Sequence, residues 1–306
     1  MDQTMYEQVL DITKQKRVLF NKLNESIVLE APAPEGSVLC EERRIKVTGA
    51  ADTRILCYVA KERENETLPL YVCMHGGGFI CGSGDYDDKY SRLTALNVAC
   101  RVINVDYRLA PEYQFPYQLE EAYGVILWAI RHAEELHIDP TRILVGGHSA
   151  GAGMSTGLCA MAAQRREFAL AGQVLDYPPV DFTSPKLWDE LPTDRDLVNH
   201  DSDAFFNLCY LKSDEDRTDP LVSTVLVKDY SGFPPALIVL AEHDALTAPA
   251  LRYAENLKAA GIRVETRVFE GCRHGFMTLP MNGDPESFRE GWQLRWKFMR
   301  AMYAKK

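Results

Sequence analysis

The sequence lacks an apolar run long enough to cross a membrane. Its most apolar stretches, 124–130 and 235–241, have the length of a helix segment or a strand. The first twenty residues carry charges throughout and show no apolar centre of a signal peptide, so a cytoplasmic location is expected. No CxxC pair occurs among the 8 cysteines, which sit in apolar contexts such as Cys73 and Cys159. That argues against a zinc or dithiol motif and fits a reducing compartment. Basic blocks are missing as well. The formal net charge is −10, and the densest basic cluster, Lys14-Gln15-Lys16-Arg17, reads as a helix face. A nucleic-acid partner is not expected. Internal repeats and low-complexity tracts are absent. Two glycine clusters, Gly76-x-Gly78-xxx-Gly82 and Gly151-x-Gly153-xxx-Gly157, lack the spacing of a dinucleotide fingerprint. Neither lies at the first strand, and no P-loop lysine follows either. No cofactor and no metal are expected.

What is present is an ordinary soluble composition over 306 residues, 46% hydrophobic and 25% charged. Helical spacing of Met5, Val9, Ile12, Val18, Leu19 and Leu23 predicts a helix over 4–24. The Pro- and Gly-containing stretch 31–36 then breaks the chain. Short apolar runs predict strands at 44–48, 54–60, 68–74, 100–106, 142–145, 169–175, 236–240 and 263–269. Helix patterns lie at 86–97, 116–136, 150–166, 248–260 and 286–303, with Gly261 stopping the fourth. Strands alternating with helices imply an α/β fold, a mainly parallel eight-stranded sheet flanked by helices. The segment 181–228 is too long and polar for a simple crossover. It reads as an insertion that forms a helical cap with the N-terminal helix. The expected division is 1–40 for the first part of the cap, 41–180 and 229–306 for the core, and 181–228 for the insertion.

Gly147-His148-Ser149-Ala150-Gly151 fits G-x-S-x-G, the pattern of a sharp strand-to-helix turn that presents a nucleophilic serine. Side chains at its glycines would collide with the neighbouring strand or helix. A capping serine at an ordinary turn is the plainer reading of the same five residues. Upstream, the third strand ends in His75-Gly76-Gly77-Gly78-Phe79. Consecutive glycines expose backbone N–H groups and let a substrate approach, as an oxyanion site requires. Two such patterns in this order, each after a strand, reinforce one another. His75 reads as an anchor for the loop.

The seventh strand ends at Glu242-His243-Asp244 and the eighth at 270–276, which contains His274. Carboxyl ends of strands are where α/β sheets place their sites. Asp244 is expected to orient His274, and His274 to take the Ser149 proton. Glu242 is the alternative acid. His148 adjoins Ser149, but residues either side of a tight turn point apart, so it is not expected to be the base. His132, His137, His200 and His243 have no expected role.

Four features in order give a resemblance to the hormone-sensitive lipase family of α/β hydrolases. They are His75-Gly-Gly-Gly-Phe79, Asp106-Tyr-Arg-Leu-Ala-Pro-Glu112 with Phe115-Pro116, Gly147-His-Ser-Ala-Gly151, and His274-Gly-Phe276. The likeness covers roughly residues 40 to 300 and implies the α/β-hydrolase fold. It implies Ser149, Asp244 and His274 as the triad, and N–H groups of Gly77, Gly78 and Ala150 as the oxyanion hole. It also implies that a homodimer can form through an edge strand, here the eighth. The chain departs from the family pattern at His148, at Ala152 and at Ala245. Phe79, Tyr86, Tyr90, Phe205 and Phe206 are candidate pocket walls, with core packing as their other reading. The favoured function is a serine carboxylesterase on short- to medium-chain acyl esters, with a small ester as its partner. A non-catalytic ligand-binding protein is the rival, as in plant hormone receptors of this likeness, but those lose the histidine kept here. Deacetylation of sugars, amide hydrolysis or lactone opening would use the same residues.

Overall fold

The structure is a computed structural model that describes residues 3–47, 52–183 and 200–304. One eight-stranded sheet runs through it in the order β1-β2-β4-β3-β5-β6-β7-β8. The strands are β1 (Val38–Ile45), β2 (Thr53–Ala60), β3 (Leu68–Met74), β4 (Arg101–Asp106), β5 (Ile138–His148), β6 (Gly172–Asp176), β7 (Ala236–His243) and β8 (Val264–Arg273). The helices are α1 (Gln3–Glu25), α2 (Asp88–Val98), α3 (Tyr117–Arg131), α4 (Ala150–Arg165), α5 (His200–Tyr210), α6 (Thr247–Ala259) and α7 (Pro285–Tyr303). β2 is antiparallel to both its neighbours, and from β4 to β8 every pairing is parallel.

A strand buried on both faces reads as a continuous apolar run. β3, Leu-Pro-Leu-Tyr-Val-Cys-Met, is buried at every position. One core lies on the α3, α4 and α6 face, with Val72, Val145, Leu158 and Leu257. The second lies on the α2 and α7 face, with Tyr71, Tyr90, Trp292 and Phe298. α7 begins with an N-cap at Asp284, which accepts from the N–H groups of Glu286 and Ser287, and Pro285 takes the first helical position.

Several boundaries differ from the sequence expectation. β1 begins at Val38 and ends at Ile45, whereas the sequence suggested 44–48; residues 48–51 lie outside the described part. As an edge strand it exposes Cys40, Glu41 and Glu42, so its ladder to β2 forms without an apolar pattern to announce it. β5 and β8 run several residues beyond their apolar cores, the first to His148 and the second to Arg273. α3 stops at Arg131 rather than 136. Val18 and Leu19 of α1 are exposed. The buried stripe of α1 runs instead through Val9, Thr13 and Lys16. Lys16 buries its stem and holds its ammonium 5.3 Å from the Phe205 ring and 5.8 Å from Phe206.

Those contacts dock α1 against α5. Val9 shares an apolar cluster with Ile80, Cys81, Phe205, Leu208 and Cys209. Within the expected insertion, residues 184–199 lie outside the described part, including the polar stretch 191–196. Among the described residues no helix is long and apolar enough to cross a membrane.

The segment after β4 is held by a buried carboxylate. Glu121 of α3 accepts from the Thr53 hydroxyl at 2.7 Å and the Arg108 N–H at 2.9 Å, and pairs with the Arg108 guanidinium. Its side chain is fully buried. Replacing one partner of such a pair leaves the other desolvated and uncompensated. Glu121→Ala should therefore lower unfolding free energy by about 3 kcal/mol in urea denaturation. A change under about 0.5 kcal/mol would show that Arg108 is solvated well enough to stand alone.

Candidate active site

β5 passes into α4 through a single residue, Ser149, whose φ of 51° is left-handed. A non-glycine residue holds that conformation only where its surroundings enforce it. The end of β3 presses against the turn. A Cβ on Gly147 would stand 2.3 Å from the Met74 carbonyl oxygen, and one on Gly151 would stand 2.1 Å from it. Both contacts are impossible, so the two outer positions of G-x-S-x-G must be glycine here. The Ser149 N–H donates to the Asp176 carbonyl at 2.9 Å, and the Ser149 carbonyl accepts from the Gly153 N–H at 2.9 Å.

Two loops at the carboxyl ends of β7 and β8 bring their side chains to this serine. His274 Nε2 is 2.8 Å from Ser149 Oγ. His274 Nδ1 is 2.8 Å from Asp244 Oδ2. A carboxylate only accepts, so Nδ1 carries the proton and Nε2 offers its lone pair to the hydroxyl. The Asp244 side chain is fully buried, and its other oxygen accepts from the Leu246 N–H at 3.0 Å. The His274 carbonyl accepts from Asn282 at 2.6 Å. The Tyr177 ring packs 4.7 Å from the His274 ring, tilted by 58°.

The glycine-rich loop lies beside the serine turn. Gly77 has φ 120°, and its carbonyl accepts from the N–H groups of Ile80 and Cys81. Among the described residues, the N–H groups of Gly77, Gly78 and Ala150 have no hydrogen-bond partner. Ala150 is the first residue of α4, where the helix dipole is positive. Phe206 covers Gly78 closely enough that a Cβ there would meet its ring at 2.7 Å.

Residues 106–112 brace this loop. The His75 ring stacks on Tyr107 at 4.1 Å, and the Tyr107 hydroxyl donates to the His75 carbonyl. Asp106 accepts from the Gly84 N–H, and the Ala110 N–H donates to Phe79. From α1, Arg17 donates to the carbonyls of Ile80 and Ala110 and makes a two-pronged pair with Glu112. Nothing in the sequence beyond helical spacing marks Arg17 for this.

Other candidates stand elsewhere. Glu242 is half-exposed and accepts from the Gly271 N–H, while Asp244 holds the imidazole. His243 is exposed beside it. His132 closes α3 with its ring on the Trp128 carbonyl, and His137 lies in the turn before β5. His148 is buried on the far side of the turn, 2.6 Å from Asp176. Of the five aromatic residues, three are packing residues. Phe79 stacks on Tyr210 at 3.8 Å, Tyr90 stacks on Trp292 at 5.1 Å and donates to the Thr278 carbonyl, and Phe205 is fully buried under α1. Tyr86 and Phe206 keep partial exposure. Asp176, Tyr177 and Arg295 were not foreseen, although Asp176 ends a strand just as the residues before Asp244 and His274 do. Among the described residues no group of three His, Cys, Asp or Glu could hold a metal ion.

A serine, an imidazole and a carboxylate at the carboxyl ends of β5, β8 and β7 of such a sheet define an α/β hydrolase. A family model described as alpha/beta hydrolase fold matches residues 71–278, and the chain belongs to that family, of the hormone-sensitive-lipase-like kind. It is similar to the carboxylic ester hydrolase LipN of Mycobacterium tuberculosis, 37% identical over 69% of this chain and 58% of LipN. It is similar also to the carboxylesterase NlhH of the same species, 34% identical over 79% of this chain and 76% of NlhH. Among solved structures, an esterase from Pyrobaculum calidifontis superposes with a TM-score of 0.79 at 30% identity, over 100% of this chain and 95% of that one. The relatives are esterases, and the chain is an enzyme of the carboxylic ester hydrolase class.

The Arg17–Glu112 pair carries a pH signature. Burial raises the Glu112 carboxyl, but the hydrogen bonds and charge of Arg17 outweigh it and hold the group below the usual 4.5. A carboxylate with a lowered folded-state pKa contributes stability above its unfolded value and loses it as pH falls through the folded one. Melting temperature should drop below about pH 4.5 less steeply in Glu112→Gln than in the wild type. Parallel acid profiles would mean the pair adds nothing to folding.

Proposed function

We propose that the chain is a serine carboxylesterase acting on short- to medium-chain acyl esters through an acyl-enzyme. The observation that carries this reading is the unbroken line of two 2.8 Å contacts from Ser149 through His274 to Asp244. In this mechanism Ser149 Oγ attacks the ester carbonyl while His274 Nε2 takes its proton. The N–H groups of Gly77, Gly78 and Ala150 receive the negative oxygen of the tetrahedral intermediate. His274 then protonates the leaving alcohol. It next deprotonates a water that releases the acid and restores the serine. Asp244 keeps the imidazole in the Nδ1–H tautomer and balances its charge when protonated. No step needs a metal or cofactor.

In the same reading α1 and the described parts of the insertion, residues 181–183 and 200–228, belong to the cap, with Tyr86 and Phe206 on the wall of the acyl or alcohol pocket. Phe206 stands over Gly78, so a long rigid acid would meet its ring. A homodimer would use β8, which forms one outer edge of the sheet. A pure ligand-binding role gains no support from a histidine already bonded to both serine and carboxylate. Sugar deacetylation, amide hydrolysis and lactone opening remain uses of the same groups.

The test is hydrolysis of p-nitrophenyl esters from acetate to palmitate. Wild type should be fastest on the short members. Ser149→Ala should lose about ten-thousand-fold or more in kcat, and Asp244→Asn about a thousand-fold or more. A folded wild type inactive on every ester, or a Ser149→Ala protein as active as wild type, would overturn the reading.

A further inference from the structure

Behind the nucleophile lie three ionisable side chains that the proton transfers do not use. His148 is 4% exposed, Asp176 fully buried and Arg295 2% exposed. Asp176 holds both residues of the turn. Its main-chain carbonyl accepts the Ser149 N–H, and its carboxylate oxygen lies 2.6 Å from His148 Nδ1, a close polar contact set off the hydrogen-bond direction. The sheet register places His148 directly opposite Asp176. Arg295 reaches up from α7 and pairs with the same carboxylate. The guanidinium donates to the Tyr71 hydroxyl of β3 at 2.9 Å and lies 4.6 Å from the Trp292 ring. Tyr90, Trp292 and Tyr177 surround the His148 ring, with centroids at 6.0, 5.6 and 6.5 Å.

Burying such groups costs more than burying an apolar set of equal volume, so packing alone does not call for them. The turn they hold is the strained one. Ser149 keeps its left-handed φ only while neighbours over-determine it. We propose that His148, held through Asp176 and Arg295, is a positioning residue that keeps Ser149 Oγ aimed at His274. It touches neither substrate nor the moving proton. It acts by tying the end of β5 to β6 and α7, so that the turn cannot relax toward an ordinary φ. This inference rests on Ser149 being the nucleophile.

Two variants test it. His148→Leu keeps bulk and removes the polar contact to Asp176; His148→Asn restores an N–H beside the carboxylate. Turnover of p-nitrophenyl esters is measured together with the rate at which a fluorophosphonate labels Ser149, read by intact mass. His148→Leu should lose on the order of 30-fold in both kcat and labelling rate, with KM within about twofold of wild type. His148→Asn should recover at least about a third of each rate. The inference is overturned if His148→Leu keeps both rates within about twofold of wild type. Equal losses in both variants, tracking melting temperature alone, would also overturn it and leave a purely structural role. A wild type that turns over no ester yet labels at Ser149 would remove the ester reading, while the labelling rates still decide this one. A wild type that does not label at Ser149 removes both.

Discussion

The Met74 carbonyl at the end of β3 lies where side chains on Gly147 and Gly151 would have to stand, 2.3 and 2.1 Å away. Because those side chains are absent, β5 can turn into α4 within one residue. Ser149 then occupies the corner with a left-handed φ and its hydroxyl facing out of the sheet. A wider turn would move the hydroxyl away from the loops after β7 and β8. It would also separate the Ala150 N–H from the glycine-rich loop that follows β3. The meeting of Ser149 with His274, Asp244 and the N–H groups of the glycine-rich loop depends on that one close approach.

The parallel sheet turns the corner into a site. Parallel strands end on the same side, so loops after β3, β5, β7 and β8 open onto one edge, even though 125 residues separate Ser149 from His274 along the chain. His274 and Asp244 come from adjacent strands, β8 and β7, and each needs only a short loop to reach its partner. Burial of Asp244 removes water from its carboxylate, and the imidazole and the Leu246 N–H take its place.

The glycine-rich loop has few contacts of its own, and its shape is imposed from outside. Tyr107 and Ala110 hold it from one side, and Arg17 holds it from the N-terminal helix. The motif at 106–112 is therefore a brace, with each polar member assigned to a different anchor: Asp106 to Gly84, Arg108 to Glu121, Glu112 to Arg17. Docking of α1 and the shape of the loop are linked through the Arg17 guanidinium and the cluster that Val9 shares with Ile80 and Cys81.

Much of this was legible in the residues. Apolar runs located seven of the strands, most closely β2, β3 and β4, because a strand buried on both faces has no polar face to hide it, while β5 and β8 run beyond theirs. β1 was misplaced because an edge strand needs only its partner's backbone. The glycines of the turn and the loop announced themselves, since only glycine satisfies such close approaches and positive φ values. The order of serine, Asp244 and His274 followed from their positions at strand ends. By itself, then, the sequence determined the sheet, the serine turn and the short list of groups that could face it. Tertiary structure set the expected Asp244, not the alternative Glu242, against His274, buried Phe79, Tyr90 and Phe205 among their neighbours, and joined Arg17, Asp176 and Arg295 to the site. The reason is that periodicity and strand ends are local properties of the chain. Which side chains meet across strands and helices far apart in sequence is set only when both faces of the sheet are covered.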